Sequence, residues 1–185
     1  MYITDFQVKR LDINDIPLEL FTFMEECKEQ EIKNNVSLEA MKIGMWGQDE
    51  AWWCVWVNNK IVSISGCHRM DEYQKGCWRI GVRSATLKDY RGRAPKDPTL
   101  ADKKTGLKND FVWQYIVPLQ KQYVKVMGAS LIVSTTNLDN DKGDSDSVKM
   151  NKFVSKVMVK QGLFRLHKEN ADIFYVKQNV WEHIF

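Results

Sequence analysis

Residues 89–98 read DYRGRAPKDP, a stretch that resembles the first half of a phosphate-cradling loop. Small residues let consecutive backbone N–H groups close around a phosphate, and a helix opening directly behind them adds partial positive charge. Tyr90, Arg91, Gly92 and Arg93 supply that first half. Pro95 then removes a donor and Lys96 stands where a second small residue is needed, which leaves Arg91, Arg93, Lys96, Lys103 and Lys104 to neutralise phosphate through their side chains. His68 and Glu72 offer an imidazole and a carboxylate for proton transfer through water. The competing reading of His68 is an ordinary hydrogen-bonded loop histidine. Arg79 and Arg83 lie on one β-rich run at a spacing that puts both on one face. Such a pair of cations would repel a cationic ligand and favour an anionic one.

Other constellations reduce to ordinary structure. Cys27, Cys54, Cys67 and Cys77 contain no CxxC pair, and Cys67-His68 with Cys77 lacks a fourth ligand, so no metal site is expected. Asp139, Asp141, Asp144 and Asp146 alternate like a calcium loop but lack its Gly and its distal Glu. Trp46, Trp52, Trp53 and Trp56 could form a stacking platform. Alternation along a hairpin points tryptophans into a core instead.

Seven Trp, six Tyr and eight Phe beside only four Pro and ten Gly argue for a folded chain throughout. Its 185 residues suit one domain with a sizeable core. A formal charge of +3 from 27 basic and 24 acidic residues gives a mixed surface, so a nucleic-acid partner would have to rest on local basic clusters. No run approaches the ~18 apolar residues of a membrane span, and the opening MYITDFQVKRLD has no signal-peptide block. With unpatterned, reduced thiols, a cytoplasmic protein is expected.

The elements that must position these residues follow from periodicity. YITDFQVKRL at 2–11 alternates as a first strand, and Leu20, Phe21, Phe23, Met24 and Cys27 recur at helical spacing over 18–33. A second helix is expected from Ser37 to about Gly44. AWWCVWV and KIVSISGCH, joined by Asn58-Asn59, form a hairpin that CWRIGVRSATL at 77–87 extends into a meander. The long polar connection 88–108 ends in a helix over 109–127, capped by Asn109 or Asp110 and kinked or restarted by Pro118. Strand 129–136, helix 148–162 and a closing hairpin turning at Glu169-Asn170 complete the order β, α, α, β, β, β, α, β, α, β, β. The right-handed crossover rule lays strand 129–136 parallel to strand 77–87. That junction is where a site is expected.

This order, with the hairpin WVNNKIVSISG, the strand and loop RSATLKDYRGRA, the strand LIVSTTN and the helix end MVKQGLF, resembles the GCN5-related N-acetyltransferase superfamily over almost the whole chain. The resemblance implies an α/β fold: a central mixed sheet of about seven strands with helices on both faces, in one acyltransferase domain spanning 1–185. It implies acetyl-CoA as cosubstrate and direct attack on its thioester by an amine of a small molecule or protein. Arg91, Gly92, Arg93 and Ala94 would then border the pyrophosphate, Ser84 and Thr86 would present backbone groups to pantetheine, Asn137 would meet the cofactor arm, and His68 or Glu72 would take the amine proton. The chain departs from the family at Ala94 and Lys96 in the loop. It also departs at Met158, where relatives carry a Tyr that protonates the thiolate, and on strand 77–87, which has no carboxylate. These departures leave open a second reading, a non-catalytic domain of the same fold that binds nucleic acid or a protein through the basic 88–108 loop.

Overall fold

The computed structural model describes residues 1–12, 15–32, 50–95, 110–138, 153–160, 162–173 and 176–184. Seven strands, β1 (Gln7–Leu11), β2 (Ala51–Val57), β3 (Lys60–Arg69), β4 (Cys77–Thr86), β5 (Leu131–Asn137), β6 (Phe164–Ile173) and β7 (Val176–His183), form one sheet in the order β1-β2-β3-β4-β5-β7-β6. Every neighbouring pair is antiparallel except β4 and β5. The mixed sheet and the parallel crossover are those expected from the sequence. Between β2 and β3, Asn58 and Asn59 both take left-handed φ values of 48° and 61°, the backbone a tight two-residue hairpin turn requires and Asn tolerates.

Two apolar layers hold the sheet. On one face α1 (Leu18–Glu29) buries Leu20, Phe23 and Cys27 against Trp52, Cys54, Ile61, Ile64 and Leu87. On the other, a π-helical turn (Val112–Ile116) and α2 (Val117–Val126) pack Phe111, Ile116, Val117 and Val124 against Trp53, Val55, Val62, Trp78 and Ile80. Trp52 and Trp53 thus go to opposite cores, and the described tryptophans of β2 are structural, not a stacking platform. Asp110 caps the helix, its Oδ1 accepting from Trp113 N at 3.0 Å. Pro118 follows the π turn at the start of α2, where its missing N–H cannot serve the carbonyl of Gln114.

Two expectations are corrected. The first strand begins at Gln7, not at residue 2. The closing hairpin does not turn at Glu169-Asn170, because β6 runs straight through both. Asn170 sits at φ 51° inside a bulged stretch, its N–H held by Asn179 Oδ1 at 3.1 Å. A turn-forming residue has been spent on a bulge. Residues 174 and 175, between β6 and β7, lie outside the described residues, as do the helix expected at 37–44, Trp46, the acidic loop from Asp139 to Asp146 and the stretch from Lys96 to residue 109.

β4 is the irregular strand. Between the pairs Ile64↔Ala85 and Gly66↔Val82, and again between Gly66↔Val82 and Cys67↔Ile80, it carries an extra residue relative to β3. Gly81 (φ 69°) and Arg83 (φ 47°) take left-handed conformations at these bulges. A closed ring of hydrogen bonds fixes them. Gly81 N donates to Gln120 Oε1 (2.9 Å), Gln120 Nε2 to Ser65 Oγ (3.1 Å), and Ser84 Oγ to Gly81 O (2.9 Å). Because the hydroxyl proton of Ser84 is committed there, Ser65 donates the 2.9 Å bond that joins the two serines. Gln120 and Ser65 are fully buried. Gln120→Leu is expected to strand the buried N–H of Gly81 and to cost about 1–3 kcal/mol. A urea midpoint equal to that of wild type would exclude this role.

Candidate active site where two strands part

The β4–β5 ladder has only three pairs, Cys77↔Leu131, Trp78↔Ile132 and Arg79↔Val133. Beyond Arg79 the strands run on to Thr86 and Asn137 without pairing with each other. The first step past the last pair is bridged by a side chain. Ser134 Oγ donates to Ile80 O at 3.0 Å, and His183 Nε2 lies 2.8 Å from the same Oγ. With the serine proton committed to Ile80, His183 Nε2–H must be the donor. His183 is buried between Trp113 and Phe164. Burial, helped by the charge of Lys121, pushes its pKa well below 6.5, so it holds this bond as a neutral ring.

On the α1 face, polar side chains gather level with the point of parting. His68 is paired with Arg79 across β3 and β4 and is 2% exposed. Its Nδ1 bonds the carbonyl of Arg69 at 2.9 Å. A carbonyl only accepts, so the proton is on Nδ1 and the lone pair on Nε2. One residue beyond the Ala51↔Cys67 pair, Glu50 reaches the same level from β2. Burial pushes the Glu50 carboxyl up, opposed by the Trp52 indole N–H and the Arg83 guanidinium. Arg83, partly exposed, is in turn lowered by burial and raised by Glu50. Arg79 is brought down to about 10 by burial and by Arg83. It donates to Gln178 Oε1 at 3.5 Å, and Gln178 is itself anchored on Ile173 O at 3.2 Å. Gly66 lies against this group because a Cβ there would meet the Trp52 ring at 2.7 Å.

The loop after β4 closes the parted end. A short 3-10 turn (Lys88–Tyr90) leads to Arg91, whose Nε donates back to Thr86 O at 3.0 Å. Gly92 has φ 69° with open space where a Cβ would be. The carbonyl of Arg93 accepts from Ile3 N at 2.8 Å, Ala94 is fully buried in the α2-side core, and the carbonyl of Pro95 accepts from Tyr115 Oη at 2.8 Å. Lys60, Lys88, Arg91 and Arg93 line an open cleft of ≈ 780 Å³ beside the loop, with Asp5 and Asp89.

The structure therefore brings Ser84, Thr86, Arg91, Gly92, Arg93 and Ala94 to the open end of β4, and Asn137 to the matching end of β5. Ser84 and Thr86 turn their hydroxyls inward, Ser84 to the ring described above and Thr86 to Ser63 Oγ at 2.8 Å. His68 lies at the mouth of the parting, inside β3 and not in a loop. Glu72 does not join it. It is exposed in the β3–β4 turn at the closed end, where Asp71 Oδ1 accepts from Gly76 N and the carbonyl of Gly76 accepts from Ser130 N. Met158 is buried in an apolar cluster with Val154, Phe164 and Trp181. Glu50 was missed by the sequence reading, and continuing the hairpin register one residue past Ala51 would have found it. All four cysteines are free and buried, with thiols pushed up to about 11 or 12, so none is a nucleophile at neutral pH.

No family model matches the chain, and no curated protein does. Solved structures do. The acetyl transferase from Salmonella typhimurium that modifies the N-terminal serine of ribosomal protein L7/L12 matches with TM-score 0.56 at 10% identity, over 99% of this chain and 96% of that one. An acyl-CoA N-acyltransferase from Pseudomonas aeruginosa matches with TM-score 0.53 at 6% identity, over 97% and 100%. An aminoglycoside 6'-N-acetyltransferase complexed with coenzyme A matches with TM-score 0.53 at 13% identity, over 95% and 94%. The chain has the fold of the GCN5-related N-acetyltransferases.

His183 carries a sign-definite prediction. Its folded pKa lies below the unfolded value, so its contribution to stability is fully present above about pH 6.5 and is lost as pH falls. Urea stability of wild type is expected to drop on acidification by more than that of His183→Gln, which keeps an N–H donor but cannot titrate. Parallel pH profiles would show that the ring is not buried neutral.

Proposed function

We propose that this chain is an acetyl-CoA-dependent N-acetyltransferase that works by direct transfer to an amine. The observation that carries the reading is the parting of β4 and β5 immediately after Arg79↔Val133, with Glu50, a half-buried carboxylate of raised pKa, at the same level. The residues present fit acetyl-CoA. Beyond the parting no ladder joins β4 and β5, so backbone groups on their facing edges would be open to an extended, amide-bearing pantetheine arm. Ser84, Thr86 and Asn137 would flank that arm. Arg91, Arg93 and the left-handed Gly92 would meet the pyrophosphate, with side-chain cations making up for amides the loop lacks.

When bound, the cofactor supplies a thioester carbonyl open to attack by the amine. The amine must arrive deprotonated. Glu50 accepts its proton through water, and its raised pKa makes it a better base than an ordinary surface carboxylate. Arg83 holds Glu50 ionised and in place. His68, with its lone pair on Nε2, gives the proton a second station beside Arg79. No Tyr stands at Met158, so solvent is the proton source for the leaving thiolate.

Thermal-shift titration tests the cofactor. Acetyl-CoA and CoA are expected to raise the unfolding midpoint, and Arg91→Ala to abolish the rise with the fold intact. No rise at millimolar cofactor would sink the proposal in favour of the alternative, a non-catalytic domain that binds nucleic acid or a protein through the basic loop.

Glu50→Gln tests the chemistry. Thiol release is expected to fall about 100-fold, and the acid limb of the kcat/KM profile, which reports Glu50 losing its proton as pH rises, is expected to disappear. The folded state favours the protonated carboxyl, so ionised Glu50 weakens stability as pH rises through its folded pKa. The variant should therefore be at least as stable as wild type at pH 8. A variant that keeps full activity, or simply unfolds, would remove Glu50 from the mechanism.

A further inference from the structure

The cleft beside the loop after β4 opens on the other side of β4 from the parting. In the sheet β5 flanks β4 on one edge and β3 on the other, and the cleft is walled by the β2–β3 turn, by residues 3–5 and by the loop itself. Ile3 N, donating to Arg93 O at 2.8 Å, ties two of these walls together. The volume of ≈ 780 Å³ falls within the range of small-molecule sites, roughly 300–1,000 Å³. Two of the lining cations are held from α1. Glu26 and Gln30, one turn apart on α1 and at its C-cap, both reach across: Lys60 Nζ donates to Glu26 Oε2 at 2.7 Å, and Lys88 N donates to Gln30 Oε1 at 2.7 Å. The ammonium of Lys60 also lies 5.9 Å from the centre of the Tyr90 ring. One of its three N–H groups goes to Glu26, which fixes the lysine and leaves two donors. Fixing a long side chain in advance lowers the ordering cost that a bound anion must meet. The Lys60–Glu26 pair alone would tie α1 to the sheet. Lys88, Arg91 and Arg93 add three exposed cations between residues 88 and 93, whose mutual repulsion a bound anion relieves. Against the four cations stand three carboxylates, Asp5, Asp89 and Glu26, so the balance favours an anion.

Resting on the acetyltransferase reading above, we propose that Lys60 and Lys88 bind the 3′-phosphate of the cofactor in this cleft, so that the chain selects CoA at its nucleotide end and rejects a carrier without that phosphate. From the parting of β4 and β5, over the loop, to the cleft, the site runs in the order of the cofactor's own parts: pantetheine, pyrophosphate, phosphorylated ribose. A phosphate monoester carries roughly −1.5 to −2 charge near neutral pH, and its oxygens accept from two compact ammonium groups without the planar geometry a guanidinium imposes. The loop has no N–H at Pro95, and a second phosphate held by lysines supplies charge-assisted contacts that the pyrophosphate would otherwise have to make alone.

The test compares CoA with 3′-dephospho-CoA by isothermal titration calorimetry on the whole chain, with no turnover required. Dephospho-CoA is expected to bind roughly tenfold or more weakly, the loss of one charge-assisted contact. Lys88→Ala leaves the backbone N–H on Gln30 in place, and Lys60→Gln is made together with Glu26→Gln so that no carboxylate loses its partner. Each change should reduce the preference for CoA, and the two combined should erase it, while affinity for dephospho-CoA stays at the wild-type level and shows that the variants are folded. Lys88→Arg, which keeps the charge, should keep the preference. Arg91→Ala acts at the pyrophosphate and should weaken both ligands alike. Equal affinity of the wild-type chain for CoA and dephospho-CoA would overturn the proposal while leaving acetyl transfer standing, and so would a preference that survives the combined lysine changes. Binding of neither ligand by the wild-type chain would overturn it together with the acetyltransferase reading.

Discussion

The parting of β4 from β5 depends on four side-chain hydrogen bonds that close on one another through Gly81. Two extra residues in β4 would ordinarily leave its backbone groups stranded in an apolar layer, a cost of a few kcal/mol. Gln120, reaching up from α2, takes the N–H of Gly81, and Ser84 takes its carbonyl; Ser65 joins the two. The bulges thereby become a stable feature. Their extra length turns β4 away from β5 after Arg79, and Ser134 with His183 marks the last point at which the strands are tied. The candidate site residues lie level with that tie or beyond it.

The two faces of this region do different jobs. On the α2 side the groups at the parting are neutral: a serine and a glutamine that satisfy backbone, and a neutral histidine that holds the serine. On the α1 side they are charged, with Glu50, Arg79 and Arg83 half removed from water. Partial burial is what gives the second group its chemistry. In full solvent Glu50 would be an ordinary carboxylate and the arginines a screened pair. In a dry core neither charge would survive unpaired. The mouth of a split sheet offers the intermediate condition, in which a carboxylate gains basicity and guanidiniums keep their charge.

Much of this was legible in the sequence, and the reasons for the remainder are specific. The Asn58-Asn59 turn gave the register of β2 and β3, and the apolar run at 131–133 marked a strand covered on both faces, so the sheet order and the parallel junction followed. Arg79 and Arg83 were placed on one face by period alone, and the intervening bulges happen to preserve that. Glu50 was invisible because it belongs to no motif; it becomes a site residue only through cross-strand register. Gln120 reads as one polar residue on an amphipathic helix, and nothing local distinguishes it from the exposed Gln122. Asn170 misled for the opposite reason. Its tolerance of left-handed φ signals a turn, and a bulge uses the same property.

The residues that spoil the phosphate cradle prove to have structural employment. Ala94 is fully buried against the α2-side core, and the carbonyl of Pro95 takes the Tyr115 hydroxyl. Arg93 ties its carbonyl to Ile3. As far as Pro95 the loop is thus pinned by two backbone carbonyls and by the buried Ala94 methyl, and the next described helix starts at Phe111, capped by Asp110. A loop held in this way, and lacking an N–H at Pro95, offers an anion few pre-aimed amides. On the proposed function, affinity for acetyl-CoA would come from the facing edges of β4 and β5 and from Arg91 and Arg93, and would fall more steeply with salt than in an amide cradle, because side-chain cations at the surface are screened. The part of the loop that resembles a damaged motif is held in place up to Pro95, next to the strand whose bulges Gln120 satisfies.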